Sequence, residues 1–180
     1  MKLKRKSYGG WKMGDSVGFI CPKCGYAFGG DLGVGLLYPK LYRETVEKMK
    51  AGEYGEEARQ FFIDCPEGAV DCESVLFQCD DCHQYFFNLK LSMYIPRDGI
   101  TIPTEPVRWS VEFPFKGVPY ASKYDLENDY ELYAEYDHRC QNCGGKLSYV
   151  TNDIRFLLER KIACPICHTE MKLSNTMFWD

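Results

Sequence analysis

Four Cys-x-x-Cys pairs, Cys21/Cys24, Cys79/Cys82, Cys140/Cys143 and Cys164/Cys167, account for eight of the ten cysteines in the chain. A two-residue gap lets one tight turn aim both sulfurs at a single ion, and two such turns facing each other complete a tetrahedron of thiolates. Eight thiolates suit two Zn2+ ions per chain. Sites of that kind hold a fold together and leave no position for a reacting water, whereas catalytic zinc keeps one open and commonly draws on histidine or carboxylate ligands. The string Cys164-Pro-Ile-Cys167-His168-Thr-Glu170 shares letters with the zinc deaminase signature, but the order is reversed and the proline lies inside the pair. The chain has no H-E-x-x-H. No catalytic and no organic-cofactor residue is therefore expected. Cys-Pro-x-Cys also occurs in thiol redox proteins, an alternative that four pairs without a βαβ pattern disfavour.

Cys140/Cys143 and Cys164/Cys167 are separated by twenty residues, the spacing of a zinc ribbon. Subtraction then joins Cys21/Cys24 to Cys79/Cys82 across fifty-four residues. A cross-braced arrangement, first pair with third, stays open. Gly25 and Gly144 follow two of the pairs and supply the positive φ that turns backbone N–H groups toward sulfur. After the other two pairs stand His83 and His168, so those turns must close on a bulkier residue or with a different backbone. Cys65 and Cys72 lie outside any pair and are expected as small buried apolar groups, a reversible disulfide or a third metal site being the alternatives. His83, His138 and His168 are the remaining candidates for such a third site, and His83 and His168 are expected instead as outer-sphere donors or surface groups.

The elements around the pairs read as α+β: small antiparallel β zinc-ribbon modules with a two-helix insertion in the first. A strand at Val17–Ile20 enters the first turn. Gly29 to Gly35 lacks the order and the Gly-Lys-Ser/Thr ending of a phosphate loop and reads as a flexible path. A helix from Pro39 to Ala51 places Tyr42, Val46 and Met49 on one face and ends at Gly52, and a second near Glu56–Ile63 turns Ala58, Phe61 and Phe62 inward. Strands are expected at Ser74–Gln78, over an alternating run from Tyr85 to Ile95, and at Val107–Phe113. The acidic, Tyr-rich Asp129–Asp137 reads as a helix, Lys146–Val150 as a strand, and Asn152 as the cap of a short helix through Leu158. These divide the chain into an N-terminal zinc module at 1–100 with its insertion at about 36–63, a linker or wrapping segment at 101–128, and a C-terminal zinc ribbon at 129–180.

At 45% apolar and 15% aromatic residues the chain has enough packing groups for a globule. The opening residues lack the apolar stretch of a signal peptide, and no segment approaches a membrane span. A reducing cytoplasm, where thiols persist as ligands, is the expected compartment. Six basic residues oppose one acidic in 1–24, eleven oppose twenty-one in 25–139, and five oppose four in 140–180. The expected role is a non-catalytic protein interaction or adaptor module, in which the acidic middle steers basic proteins and Tyr120, Tyr124, Tyr130, Tyr133, Tyr136 and Trp179 offer anchors. Nucleic acid, RNA or single-stranded DNA, held by the arm of Lys2, Lys4, Arg5 and Lys6 is the alternative partner. Oligomeric state is not legible in the sequence.

The run ICPKCGYAFGGDLGVGLLYPKLYRETVEKMKAGEYGEEARQFF, the later LSMYIP and the terminal ribbon ending in MFWD resemble a group of uncharacterised bacterial zinc-ribbon proteins with paired CxxC knuckles, found mainly in Firmicutes. The resemblance spans most of the chain and implies a cytoplasmic protein with paired knuckles. It implies no activity.

Overall fold

The computed structural model describes residues 14–35, 37–102 and 120–179. The expected strand at 107–113, the basic arm of residues 2–6 and the side chain of Trp179 lie outside them. The fold is mixed α+β, and the described residues build three antiparallel three-stranded sheets and short helices.

β1 (Gly14–Ile20) and β2 (Ala27–Leu32) form a hairpin whose turn is the first Cys-x-x-Cys pair. The Gly29–Gly35 segment, expected as a flexible path, therefore supplies the second half of β2. Gly30 is required there, because a Cβ would fall 2.5 Å from the Phe87 ring. The chain then enters α1 (Tyr38–Ala51), with Pro39 in its first turn and Gly52 closing it at φ 87°. Tyr38, Tyr42, Thr45 and Met49 are buried, and α2 (Glu56–Asp64) contributes Ala58, Phe61 and Phe62 to the same core. Tyr42, Met49, Ala58, Phe61 and Phe62 are inward positions that the helical period predicts, whereas Val46 is only half-buried against this core and Thr45 takes a buried place beside it.

β3 (Ala69–Val70) leads into β4 (Ser74–Cys79), and β5 (Tyr85–Leu89) returns from the second Cys-x-x-Cys turn. The expected continuous strand from Tyr85 to Ile95 is broken. Leu91 takes φ 58° while buried, and β6 (Met93–Pro96) starts a different sheet. The break lets the chain cross from the metal-bearing sheets to the helical core. Here Asp71 N–H donates to the Ser92 carbonyl at 2.9 Å and Leu91 N–H to the Asp71 carbonyl at 2.7 Å, tying the two crossings together.

α3 (Lys123–Asn128) is capped by Ser122 and Asp125, each side chain bonding the other residue's backbone N–H. The Asp129–Asp137 stretch, expected as a helix, instead contains β7 (Tyr130–Ala134), paired with β6. Tyr130 anchors this strand in the helical core, and pairing to β6 prevails over the weak helical signal of its acids. β8 (Leu147–Thr151), α4 (Ile154–Glu159, capped by Asp153 rather than Asn152) and β9 (Lys172–Trp179) complete the order. The sheets are β2-β1-β9, β3-β6-β7 and β5-β4-β8. No helix among the described residues is long and apolar enough to cross a membrane.

Candidate metal centres

All four Cys-x-x-Cys turns share one backbone plan. The first cysteine's N–H donates to the carbonyl five residues on, Cys21 to Tyr26 at 2.7 Å, Cys79 to Gln84 at 2.9 Å, Cys140 to Gly145 at 2.8 Å and Cys164 to Thr169 at 2.9 Å. The N–H four residues on returns to its carbonyl. That returning residue is left-handed in every turn, Gly25 at φ 74°, His83 at 59°, Gly144 at 76° and His168 at 58°. The two histidines thus adopt the glycine conformation rather than a different turn, against the steric preference of a side chain.

The sulfurs gather in two groups of four that can hold a metal ion, Cys21, Cys24, Cys164 and Cys167 in one (centre A) and Cys79, Cys82, Cys140 and Cys143 in the other (centre B). Both expected pairings are corrected: the first turn meets the fourth and the second meets the third, so centre B is nested within the chain segment that centre A closes. The residues from 140 onward do not close a ribbon on themselves. The physical reason is strand pairing. β9, which follows the fourth turn, pairs with β1 along its whole length, and β8, which follows the third, pairs with β4. Each centre is therefore a split ribbon, a hairpin with a turn at its tip plus a third strand delivered by a remote turn.

The two ribbons are copies in register. Ile20 faces Lys172 and Phe19 faces Leu173 in one, Gln78 faces Ser148 and Phe77 faces Tyr149 in the other, and both ladders shift between the second and third residues before the hairpin cysteine, at Gly18/Phe19 and Leu76/Phe77. A sequence signal for this exists. Val17-x-Phe19-x-Cys21-x-x-Cys24-x3-Phe28 and Val75-x-Phe77-x-Cys79-x-x-Cys82-x3-Phe86 repeat one pattern. The repeat marks the two hairpins as equivalent units, each paired with a strand that follows one of the two remaining turns.

Across centre A, Cys21 Sγ lies 3.4 Å from Cys167 Sγ and Cys24 Sγ 3.6 Å from Cys164 Sγ. Across centre B the equivalent distances are 3.4 Å for Cys79–Cys143 and 3.6 Å for Cys82–Cys140. A sulfur tetrahedron about zinc, with Zn–S near 2.3 Å, has edges of roughly 3.8 Å, so the donors fit the ion. They are far beyond the roughly 2.05 Å of a disulfide. In each pair the first cysteine is buried and the second is nearer the surface. At centre B the Cys82 N–H lies 3.5 Å from Cys79 Sγ, and a Cβ at Gly145 would displace the exposed Asp81 carboxylate and sit 3.1 Å from Cys79 Sγ.

The thiols are electrostatically unlike. Thr169, through its hydroxyl 3.5 Å away and its backbone amide, lowers Cys167 to about 6, and the Cys82 and Asp81 amides lower Cys79 to about 7. Cys24 and Cys143 have backbone amides of Tyr26 and Gly145 beside them, yet burial and neighbouring sulfurs prevail and push both up to about 12. Each group thus contains one readily ionised thiol and at least one reluctant one, Cys82 being raised as well, and a divalent cation is what lets all four ionise together.

The remaining candidates stay apart from the cages. Cys72 is buried in the helical core, where burial pushes its thiol up to about 12, and Cys65 caps α2. His138 is buried against Phe77 and Tyr136 with Nε2 3.0 Å from the Lys90 carbonyl, and burial lowers its pKa. The ribbons meet through aromatics of β2 and β5, with Phe28 stacked on Tyr85 at 4.8 Å and near Phe87 at 6.1 Å. Of the tyrosines expected as anchors, Tyr124 and Tyr133 are exposed, Tyr120 and Tyr136 half-buried, and Tyr130 buried. Comparison with protein-family models, curated proteins and solved structures finds no match for this chain.

Proposed function

We propose that this is a non-catalytic zinc protein acting as an interaction module, with Cys21, Cys24, Cys164 and Cys167 holding one Zn2+ and Cys79, Cys82, Cys140 and Cys143 a second. Closure of the cages carries this reading: four sulfurs in each complete the coordination of a tetrahedral ion, and among the described residues no histidine or carboxylate joins either group. Zinc is preferred over iron, the other taker of four thiolates, because it would serve here only to hold hairpins rigid. The kinship to bacterial zinc-ribbon proteins and a cytoplasmic location belong to the same proposal, supported by the thiol count.

A protein is the partner that the surface favours. Tyr124, Leu132, Tyr133 and Tyr149 are each more than half exposed, on elements near the seam between ribbon B and the helical core, where aromatic side chains set on a rigid frame make good anchors. The acidic middle of the chain steers basic proteins toward it. The test is elemental analysis with affinity capture from native cells. Two zinc ions per chain and partners that survive nuclease are expected; one ion per chain, an iron chromophore, or complexes that vanish on nuclease treatment would overturn the reading.

A second reading, nucleic-acid binding, draws support from the nested pairing, which sets Lys23 and Lys172 in one ribbon with Lys161 close by in sequence, rather than at opposite ends. It predicts affinity that falls steeply with salt.

A further inference from the structure

The seam between ribbon B and the helical core contains a cavity of about 330 Å³ that the metal centres do not touch. Its floor comes from the two chain crossings. Asp71 and Glu73, 8% and 9% exposed, line it together with Lys90, Tyr94 and Tyr149. A nearly buried carboxylate is retained at a cost unless its oxygens are satisfied, so their partners are informative. Asp71 is complete: Oδ1 accepts the Glu73 N–H at 3.0 Å and Oδ2 the Lys90 ammonium at 3.1 Å. Glu73 is not. Its Oε2 accepts both Asn152 Nδ2 at 3.0 Å and Lys123 Nζ at 3.4 Å, while Oε1 accepts no hydrogen bond from a described residue. Lys123 is a loose partner, its side chain 59% exposed at the rim.

We propose that this cavity seats an arginine side chain of a protein partner, with Glu73 as its carboxylate receptor and the half-exposed Tyr149 ring as its wall. A guanidinium fits because its planar fork can take both Glu73 oxygens at once, displacing Lys123 into solvent, and because it stacks on an aromatic face. A point-charge ammonium would only exchange one for another. Arg97, the remaining cation of the cavity among the described residues, is drawn to the Glu127 carbonyl at 3.5 Å, and Lys90 is committed to Asp71. The inference rests on the protein-interaction reading and specifies the chemistry of that partner.

The test uses the full zinc-loaded chain and a short fluorescein-labelled arginine peptide, with a twin in which citrulline replaces arginine. Removing one charge-assisted receptor by Glu73→Gln should weaken the arginine peptide roughly tenfold or more, whereas Glu47→Gln, which removes an equal charge from exposed α1, should change binding less than about twofold. Should Glu73→Gln fail to fold, Tyr149→Ala at an exposed position serves instead, with an expected loss of about two- to fivefold. Equal binding of the citrulline twin, or an unaltered affinity in the folded Glu73→Gln or Tyr149→Ala variant, would overturn the assignment. Arginine amide binding as tightly as the peptide would assign the site to a free small cation and overturn it too. Native-cell capture separates the two proposals: nuclease-resistant partners retained equally by Glu73→Gln would refute the cavity alone, and none with the unsubstituted chain would refute the interaction reading.

Discussion

Substituting cysteines two at a time distinguishes the nested pairing from every alternative by counting metal. Cys21 and Cys164 belong to one cage and Cys79 to the other. Cys21→Ser with Cys164→Ser should therefore spare centre B and leave about one zinc per chain, while Cys21→Ser with Cys79→Ser should disable both and leave about none. Pairing the turns in chain order would reverse these results, and cross-bracing would make Cys21 and Cys140 the pair that spares an ion. The energetics favour a clean readout. Structural zinc contributes roughly 10–16 kcal/mol in small domains, whereas closing loops that span 140 residues at centre A and 58 at centre B removes about 5 and 4 kcal/mol of chain entropy in the random-loop limit. A cage reduced to three thiolates should lose its ion to a competing chelator, and its neighbour should not. The assay is elemental analysis after chelator dialysis, with circular dichroism to confirm that the spared ribbon persists. One zinc per chain in the Cys21/Cys79 variant would refute the nested arrangement.

Three further outcomes follow from the turns. His83→Gly relieves a left-handed side chain and should stabilise the zinc-loaded protein by up to about 1 kcal/mol in denaturant melts, with Gly144→Ala losing about as much; a destabilised His83→Gly would mean that this imidazole makes contacts that matter. Gly145→Ala forces a methyl onto Asp81 and Cys79 Sγ, so centre B should yield its metal first in chelator competition, and Asp81→Ala should restore part of the loss. Cys24 and Cys143, pushed up to about 12, are protonated in the metal-free chain at pH 7, while Cys167 at about 6 is ionised. Loading zinc at pH 7 should therefore release at least one proton per centre, and because protons compete for thiolates, retention should weaken as pH falls and collapse below about 6; retention unchanged with pH would refute thiolate ligation.

What the sequence makes legible is what local geometry controls. A Cys-x-x-Cys turn closes within six residues, and α1 and α2 declare themselves through Pro39, Gly52 and the period of Tyr42, Met49, Phe61 and Phe62. Which turns share an ion is a long-range matter. Twenty residues between Cys143 and Cys164 suggest a local ribbon, but loop entropy grows only with the logarithm of length. Spanning 140 residues instead of 21 costs about 2 kcal/mol more, less than the β1–β9 ladder can return. Two departures from the local pattern have local causes. Leu91 interrupts an alternating run without a glycine to announce it, and the acids of 129–137 mask a strand that only Tyr130 and its pairing to β6 secure. Nothing in the pattern around Asp71 and Glu73 foretells a charged floor, because its burial arises where two crossings meet.

Nesting also sets a timetable for biosynthesis. The thiol of Cys24 emerges from the ribosome 140 residues ahead of its partner at Cys164, an interval of roughly 7 to 28 seconds at ordinary elongation speeds, while the inner cage can already have locked. A prematurely terminated polypeptide would thus carry an orphaned leading hairpin with bare sulfur at its tip, and ligation of the outer ion certifies that translation reached the last knuckle.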